Sequence, residues 1–211
     1  MHPANCPEWE YKHHPNARLL PARCAKILIA LRSGLVDIDS TTHDTRTHHA
    51  ELFIGTTPAG HPYFAGHYRG EPFRCLKFLL VGIPGDPRVG TPPEMVTTDV
   101  SNLSDNIIRP GIAAIHQGFT YPDAQLSPAE KLYYLAVFAC RVLVEFLRIH
   151  PYANGNGHMA RLLIWLLFAK FGYWPKRWPL NTRPPYVTLI ELYRNGQTEF
   201  LEKFVLQCVL G

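Results

Sequence analysis

Apolar residues recur with helical spacing through most of the second half of the chain. From Leu132 to Ile149, the positions Leu132, Leu135, Phe138, Ala139, Val142, Phe146 and Leu147 fall on one side of a 3.6-residue period. This predicts a long helix with a wide core-facing stripe. Its start is signalled at Ser127-Pro128-Ala129-Glu130: Ser127 can cap, Pro128 suits the first helical position and Glu130 can close a capping box. Its end is set by Pro151, because a residue before proline is pushed out of the α region and His150 must leave the helix. A second helix is expected over Met159 to Phe171, stopping at Gly172. It is apolar all round from Leu162 onward, which places it at the centre of a fold. After a Pro/Trp-rich loop from Tyr173 to Pro185, helices near Val187 to Arg194 and Glu199 to Leu210 close the chain, with Gly196 between them.

The first half is less regular. Residues 1–16 are polar and read as a loosely packed arm. A helix is expected from Pro21 to Arg32, with Leu20, Cys24, Ile27, Leu28 and Leu31 on one side and Gly34 as its stop. The His- and Thr-rich tract over 35–50 includes His43, His48 and His49. Adjacent His48 and His49 lack the i, i+4 spacing that puts two imidazoles on one helix face, so the tract reads as a solvated turn or helix start. Phe73 to Val81 is a candidate strand and Ile83 to Gly90 is turn-rich. Residues 99–118 carry helical apolar spacing broken at Pro110-Gly111, which gives one interrupted helix or two short ones.

Composition narrows the class without naming a function. The chain has 211 residues, 46% hydrophobic and 18% charged, an ordinary globular balance, and reads as one domain with a modest extension. Its net charge of +4 is too mild for a nucleic-acid partner but suits an anionic ligand. No apolar window reaches membrane length, and residues 1–10 show no secretory pattern. The five cysteines, Cys6, Cys24, Cys75, Cys140 and Cys208, are scattered and odd in number. They read as reduced, which together with the missing leader gives an expected cytoplasmic location.

The chemistry is concentrated between the two central helices, at His150-Pro-Tyr-Ala-Asn-Gly-Asn-Gly-His-Met-Ala-Arg161. Gly155 and Gly157 permit a tight backbone before a helix start. A helix start leaves N–H groups unpaired and adds partial positive charge, so it is a seat for an anion, phosphate above all. Arg161, one turn into the helix, can direct a guanidinium at the same anion. His150 at the mouth can take a proton as a neutral imidazole.

This stretch resembles the Fic family motif at His150, Pro151, Gly155, Asn156, Gly157 and Arg161, with Tyr152 in place of its Phe. Asn154 stands where the family usually has Asp or Glu, and His158 where it has Arg. The resemblance extends over about residues 60–210. It implies a mostly α-helical, Fic-like domain at 51–211, with a β-hairpin flap at about 66–95 and residues 1–50 as an N-terminal arm and helix without a counterpart. By the same resemblance, His150 is the base that deprotonates a target hydroxyl, and AMP moves from ATP to that hydroxyl. Gly155, Asn156 and Gly157 seat the phosphates, His158 and Arg161 bind them, Asn154 is a weak Mg²⁺ ligand, and Tyr186 and Asn195 line the base pocket. The target protein docks on the flap by strand pairing. No complete inhibitory Ser/Thr…Glu helix is present, since Lys203 follows Thr198 and Glu202, so an antitoxin-like partner is the implied restraint. The two departures leave two alternatives open: transfer of another phosphate-containing group, or a non-catalytic nucleotide-binding or interaction module.

Overall fold

The computed structural model of the chain describes residues 6–82 and 86–211. Its helices are α1 (Leu20–Arg32), α2 (Ile38–His43), α3 (Arg46–Phe53), α4 (Val96–Leu103), α5 (Arg109–Thr120), α6 (Pro128–Ile149), α7 (Asn156–Lys170), α8 (Val187–Arg194) and α9 (Glu199–Leu210). The fold is therefore mostly helical, as the apolar spacing requires.

Helix α6 begins where its sequence signals put it. The Ser127 side chain accepts the Glu130 N–H at 3.3 Å, and Glu130 Oε2 accepts the Ser127 N–H at 2.8 Å. Both halves of the capping box are made. The apolar stripe of α6 then meets α7, and α4, α5, α8 and α9 pack around the same helix. Helix α7 is enclosed on every side: each residue from His158 to Ala169 is buried. It starts three residues ahead of the expected Met159, because Gly155 turns the chain and Asn156 opens the helix.

The break at Pro110-Gly111 resolves into one continuous helical run. Helices α4 and α5 are joined by a π turn over Ser104–Ile108. Pro110 lacks an N–H, so the backbone ladder reorganises in the turn before it. Gly111 is needed for space: a Cβ there would lie 2.1 Å from Cε2 of Phe138 on α6. Helix α5 therefore crosses α6 at close range.

Three expectations for the first half fail. The β-hairpin flap over 66–95 does not form, and no strand is present among the described residues. Phe73 to Val81 is a series of turns and irregular backbone instead. The hydrogen-bonding groups of this segment go elsewhere. Gly70 N–H bonds Leu76 O, while Gly90 and Thr91 donate to the carbonyls of Arg148 and Ile149 at 2.9 and 3.2 Å. Those carbonyls are among the ones a helix C-terminus leaves open, so the segment pairs with the end of α6 rather than with itself. Ile83 to Gly85 of the turn-rich stretch lie outside the described residues.

The arm is also not loose. Trp9 and Tyr11 are buried, and Trp9 Nε1 donates to Thr56 O at 2.8 Å. Two aromatic anchors in an otherwise polar stretch pack it against the core. Nor are all cysteines reduced. Cys6 and Cys75, with Cα atoms 5.5 Å apart, form a disulfide that ties the arm to the flap segment, whereas Cys24, Cys140 and Cys208 are free and buried. A separation of 69 residues carries no local spacing signal. No helix among the described residues is long and apolar enough to cross a membrane.

The disulfide closes a long loop, for which chain entropy implies a stabilisation of about 4 kcal/mol. The C6S/C75S double variant is expected to lower the urea midpoint accordingly. An unchanged midpoint would show that the aromatic anchors alone hold the arm.

Candidate active site

His150 leaves α6 in the left-handed region, at φ 55° and ψ 58°, and is the only non-glycine residue with positive φ among the described residues. Pro151 forbids it the right-handed helical region, and the conformation it adopts is costly for a residue with a Cβ. What holds it there is Arg69. This fully buried guanidinium donates from Nε to His150 O at 2.8 Å, from Nη2 to Ile149 O and Thr91 O at 3.0 and 3.1 Å, and from Nη1 to Leu79 O at 3.0 Å. Its own backbone N–H donates to Pro151 O at 2.8 Å. Burial lowers the Arg69 pKa to about 10, so it remains charged at neutral pH.

The His150 ring carries Nδ1 3.3 Å from Leu147 O. That contact assigns the proton to Nδ1 and leaves the Nε2 lone pair open. Burial lowers the His150 pKa to about 4, and the charges of Arg69 and Arg194 push it the same way. The imidazole is neutral at pH 7.

The loop after it is built on α3. Tyr152 is fully buried, its ring stacked on His49 with centroids 3.7 Å apart and its hydroxyl 2.8 Å from Thr45 Oγ1. His49 accepts the Gly66 N–H at Nδ1 and donates from Nε2 to Asn154 O, both at 2.9 Å. Burial lowers its pKa to about 3, so it stays neutral in that role. Of the two readings of the His-rich tract, the helix start is the one that holds here, at the beginning of α3, and His49 is buried rather than solvated. Gly155 has φ +79°, and a Cβ on it would meet Phe53 Cε2 at 2.3 Å, so no other residue fits.

The residues singled out in the sequence divide into two groups. His150, Gly157, Tyr186 and Asn195 line a single cavity of about 560 Å³, together with Leu147, Ile190 and charged side chains from the flap segment and α8. The N–H groups of Asn156 and Gly157 stand at the start of α7, where intrahelical partners do not exist. Gly155 N–H is instead taken by Asn154 Oδ1 at 2.7 Å. The second group faces inward. The Asn156 amide brackets Tyr152, accepting its N–H and donating to its carbonyl, each at 2.8 Å. Arg161 is buried, with Nε and Nη2 on Leu180 O at 3.1 and 2.9 Å and Nη1 on Tyr186 Oη at 3.3 Å.

Asn154 and His158 both serve the arm. Asn154 Nδ2 donates to Trp9 O at 2.8 Å. His158 sits against the rings of Tyr11 and Phe53 and bonds the backbone of Asn181. Burial first and the Arg161 charge second lower its pKa to about 3. Expected among the phosphate-binding residues, His158 is instead buried and uncharged at neutral pH. An Mg²⁺ ligand set is not apparent either. Both ends of the Asn154 amide are used, and no group of three or more His, Cys, Asp or Glu converges among the described residues.

Sequence reasoning missed Arg69, Arg88, Arg183 and Arg194. The last three line the cavity. None sits in a local motif. The flap arginines act across 80 to 107 residues of chain, and the C-terminal ones lie in segments whose register the motif does not fix.

Two outcomes follow from the buried polar groups. Asn154→Asp would turn a carboxylate toward Trp9 O and the Glu10 carboxylate, 3.5 Å from Nδ2. It is expected to lose about 1–3 kcal/mol of stability in denaturant titration. His49, His150 and His158 all have folded-state pKa values of about 3–4, below the unfolded 6.5. The unfolded chain therefore binds more protons below pH 6.5. Stability is full above that pH and falls as pH drops toward 4, by up to about 1.4 kcal/mol per pH unit for each histidine. Urea midpoints at pH 7.5 and 5 test this, and His158→Phe should make the drop shallower.

The model of the Fic/DOC family matches residues 41–168. No curated protein matches the chain. The matched span is more than half of the chain and runs from α2 almost to the end of α7. It holds the α3 platform, Arg69 and the whole loop from His150 to Arg161. The chain belongs to the Fic/DOC family.

Proposed function

We propose that the chain transfers AMP from ATP to a hydroxyl side chain of a target protein. The observation that carries this reading is the setting of His150. A neutral imidazole, with its Nδ1 proton directed at Leu147 O, faces the cavity that the start of α7 also reaches.

The reaction needs an acceptor for the hydroxyl proton, a seat for the anionic leaving group and positive charge to spread. His150 Nε2 accepts the proton. The target oxygen forms a bond to the α-phosphorus as the bond from that phosphorus to the β-phosphate oxygen breaks, and pyrophosphate leaves with the electron pair. The open N–H groups at the start of α7 receive phosphate oxygens. Arg161, next to Gly157, contributes its charge through the helix start; its hydrogen bonds go to Leu180 and Tyr186. Tyr186 and Asn195, on the far wall, suit the base and ribose. Mg²⁺ would enter with the nucleotide, since both ends of the Asn154 amide are already bonded.

A target segment is proposed to lie along residues 78–82, where Phe78 and Leu80 are exposed beside the motif's supports. An inhibitory partner remains the proposed form of restraint, since Glu202 is taken by the Tyr133 hydroxyl at 3.0 Å. The cavity's arginines favour one second reading, the transfer of a different phosphate-containing group.

Labelled ATP with cell lysate tests the proposal. His150→Ala is expected to reduce transfer by about 10²–10⁴-fold while nucleotide affinity holds, and transfer at the parent rate would remove the reading. The pH profile of kcat/KM should keep its acidic limb near pH 4, because only the neutral imidazole accepts the proton and its pKa is lowered. A limb near 6.5 would mean that the base is solvated or is another group.

A further inference from the structure

The far wall of the cavity carries a cluster that the motif does not account for. Arg194, at the end of α8, has its side chain only 9% exposed and donates from Nη1 to Asp86 Oδ2 at 3.1 Å. Its Nε is buried without a hydrogen-bond partner, and no other side-chain nitrogen or oxygen among the described residues is in that position. An unpaired buried donor on a charged group is expensive to keep, and Arg194 lines the cavity that holds His150.

Asp86 comes from the flap segment. Its carboxylate takes Arg88 Nε at Oδ1 and Arg88 Nη2 at Oδ2, at 2.8 and 3.2 Å, and also the Arg88 N–H at 3.1 Å. One carboxylate thus bridges two guanidinium groups. Arg88 in turn spans to α8, from Nη1 to Arg194 O and Asn195 Oδ1 at 3.2 and 3.0 Å. Paired oxygens between two planar forks are also what a phosphate group presents. The wall as a whole carries Arg88, Arg183 and Arg194 against Asp86 and Glu191. With Asp86 turned away, it has an excess of two positive charges.

We propose that Arg194 and Arg88 form a phosphate seat distinct from the start of α7, and that Asp86, which sits between them, is exchanged there for a phosphate group of the ligand. This rests on the reading that the cavity beside His150 takes a phosphate-bearing ligand. The seat completes the Nε hydrogen bond that Asp86 leaves unmade. It gives Asp86 a second position, released from Arg194 as the ligand enters. A ligand with phosphate at both seats would span the cavity, which suits a polyphosphate or a diphosphate-linked compound better than a monophosphate.

Calorimetry with inorganic pyrophosphate and with ATP, at low salt and without added metal, tests this. If the seat is free of Asp86 about one tenth of the time, Asp86→Ala tightens both ligands about tenfold. Asp86→Asn, which keeps the shape and removes the charge, should do the same and serves where the alanine variant melts early. Adding Arg194→Gln should abolish the gain. A merely structural role for Asp86 predicts weaker binding on its removal. Unchanged or weaker binding in both Asp86 variants overturns the proposal. A gain that survives Arg194→Gln overturns the seat by placing the anion elsewhere. Failure of the transferase reading is separable: tighter pyrophosphate binding without His150-dependent transfer leaves the seat standing, and transfer with unaltered affinity in the Asp86 variants removes the seat alone.

Discussion

A single buried cation fixes the geometry on which the site depends. Arg69 is inaccessible to water, and its side-chain partners among the described residues are carbonyl oxygens. Its positive charge is met by carbonyl oxygens, two of them at the C-terminus of α6, where the helix dipole is negative. Burying a guanidinium is tolerable only when its donors are satisfied, and here Nε, Nη1 and Nη2 are all used. In return the guanidinium holds a histidine in a backbone conformation that a residue with a Cβ avoids. The imidazole of His150 is thus positioned by long-range backbone bonding, with little freedom left in its loop.

The helical frame could be read from the sequence because its determinants are local. The capping box at Ser127, the proline after His150 and the apolar ring of α7 each act within a few residues. The Fic motif was legible for the same reason. The flap was not. A candidate strand at Phe73–Val81 has suitable residues, but strand formation depends on partners, and the carbonyls of Arg148 and Ile149 took the donors at Gly90 and Thr91. His49 was missed because the sequence pattern cannot distinguish a solvated imidazole from one stacked on a tyrosine 103 positions later.

The two departures from the family pattern acquire a common physical explanation. Asn154 and His158 both contact the N-terminal arm, one through the Trp9 carbonyl and one through the Tyr11 ring. An acidic residue at 154 would oppose Glu10, and an arginine at 158 would need to be buried between two aromatic rings. The neutral pair suits a loop whose outer side is covered by protein. Arg88, Arg183 and Arg194 line the cavity beside His150.

The seating of Gly155 against Phe53 bears on how the chain can be divided. The motif loop rests on the rings of α3, which belong to the half of the sequence that shows no recognisable chemistry. A fragment consisting of α4 to α9 would retain every motif residue and lose the surface on which they are laid out. The smallest unit able to present His150 in this way therefore includes the helices before the flap. The motif loop and the surface it is laid on are far apart in sequence and inseparable in the fold.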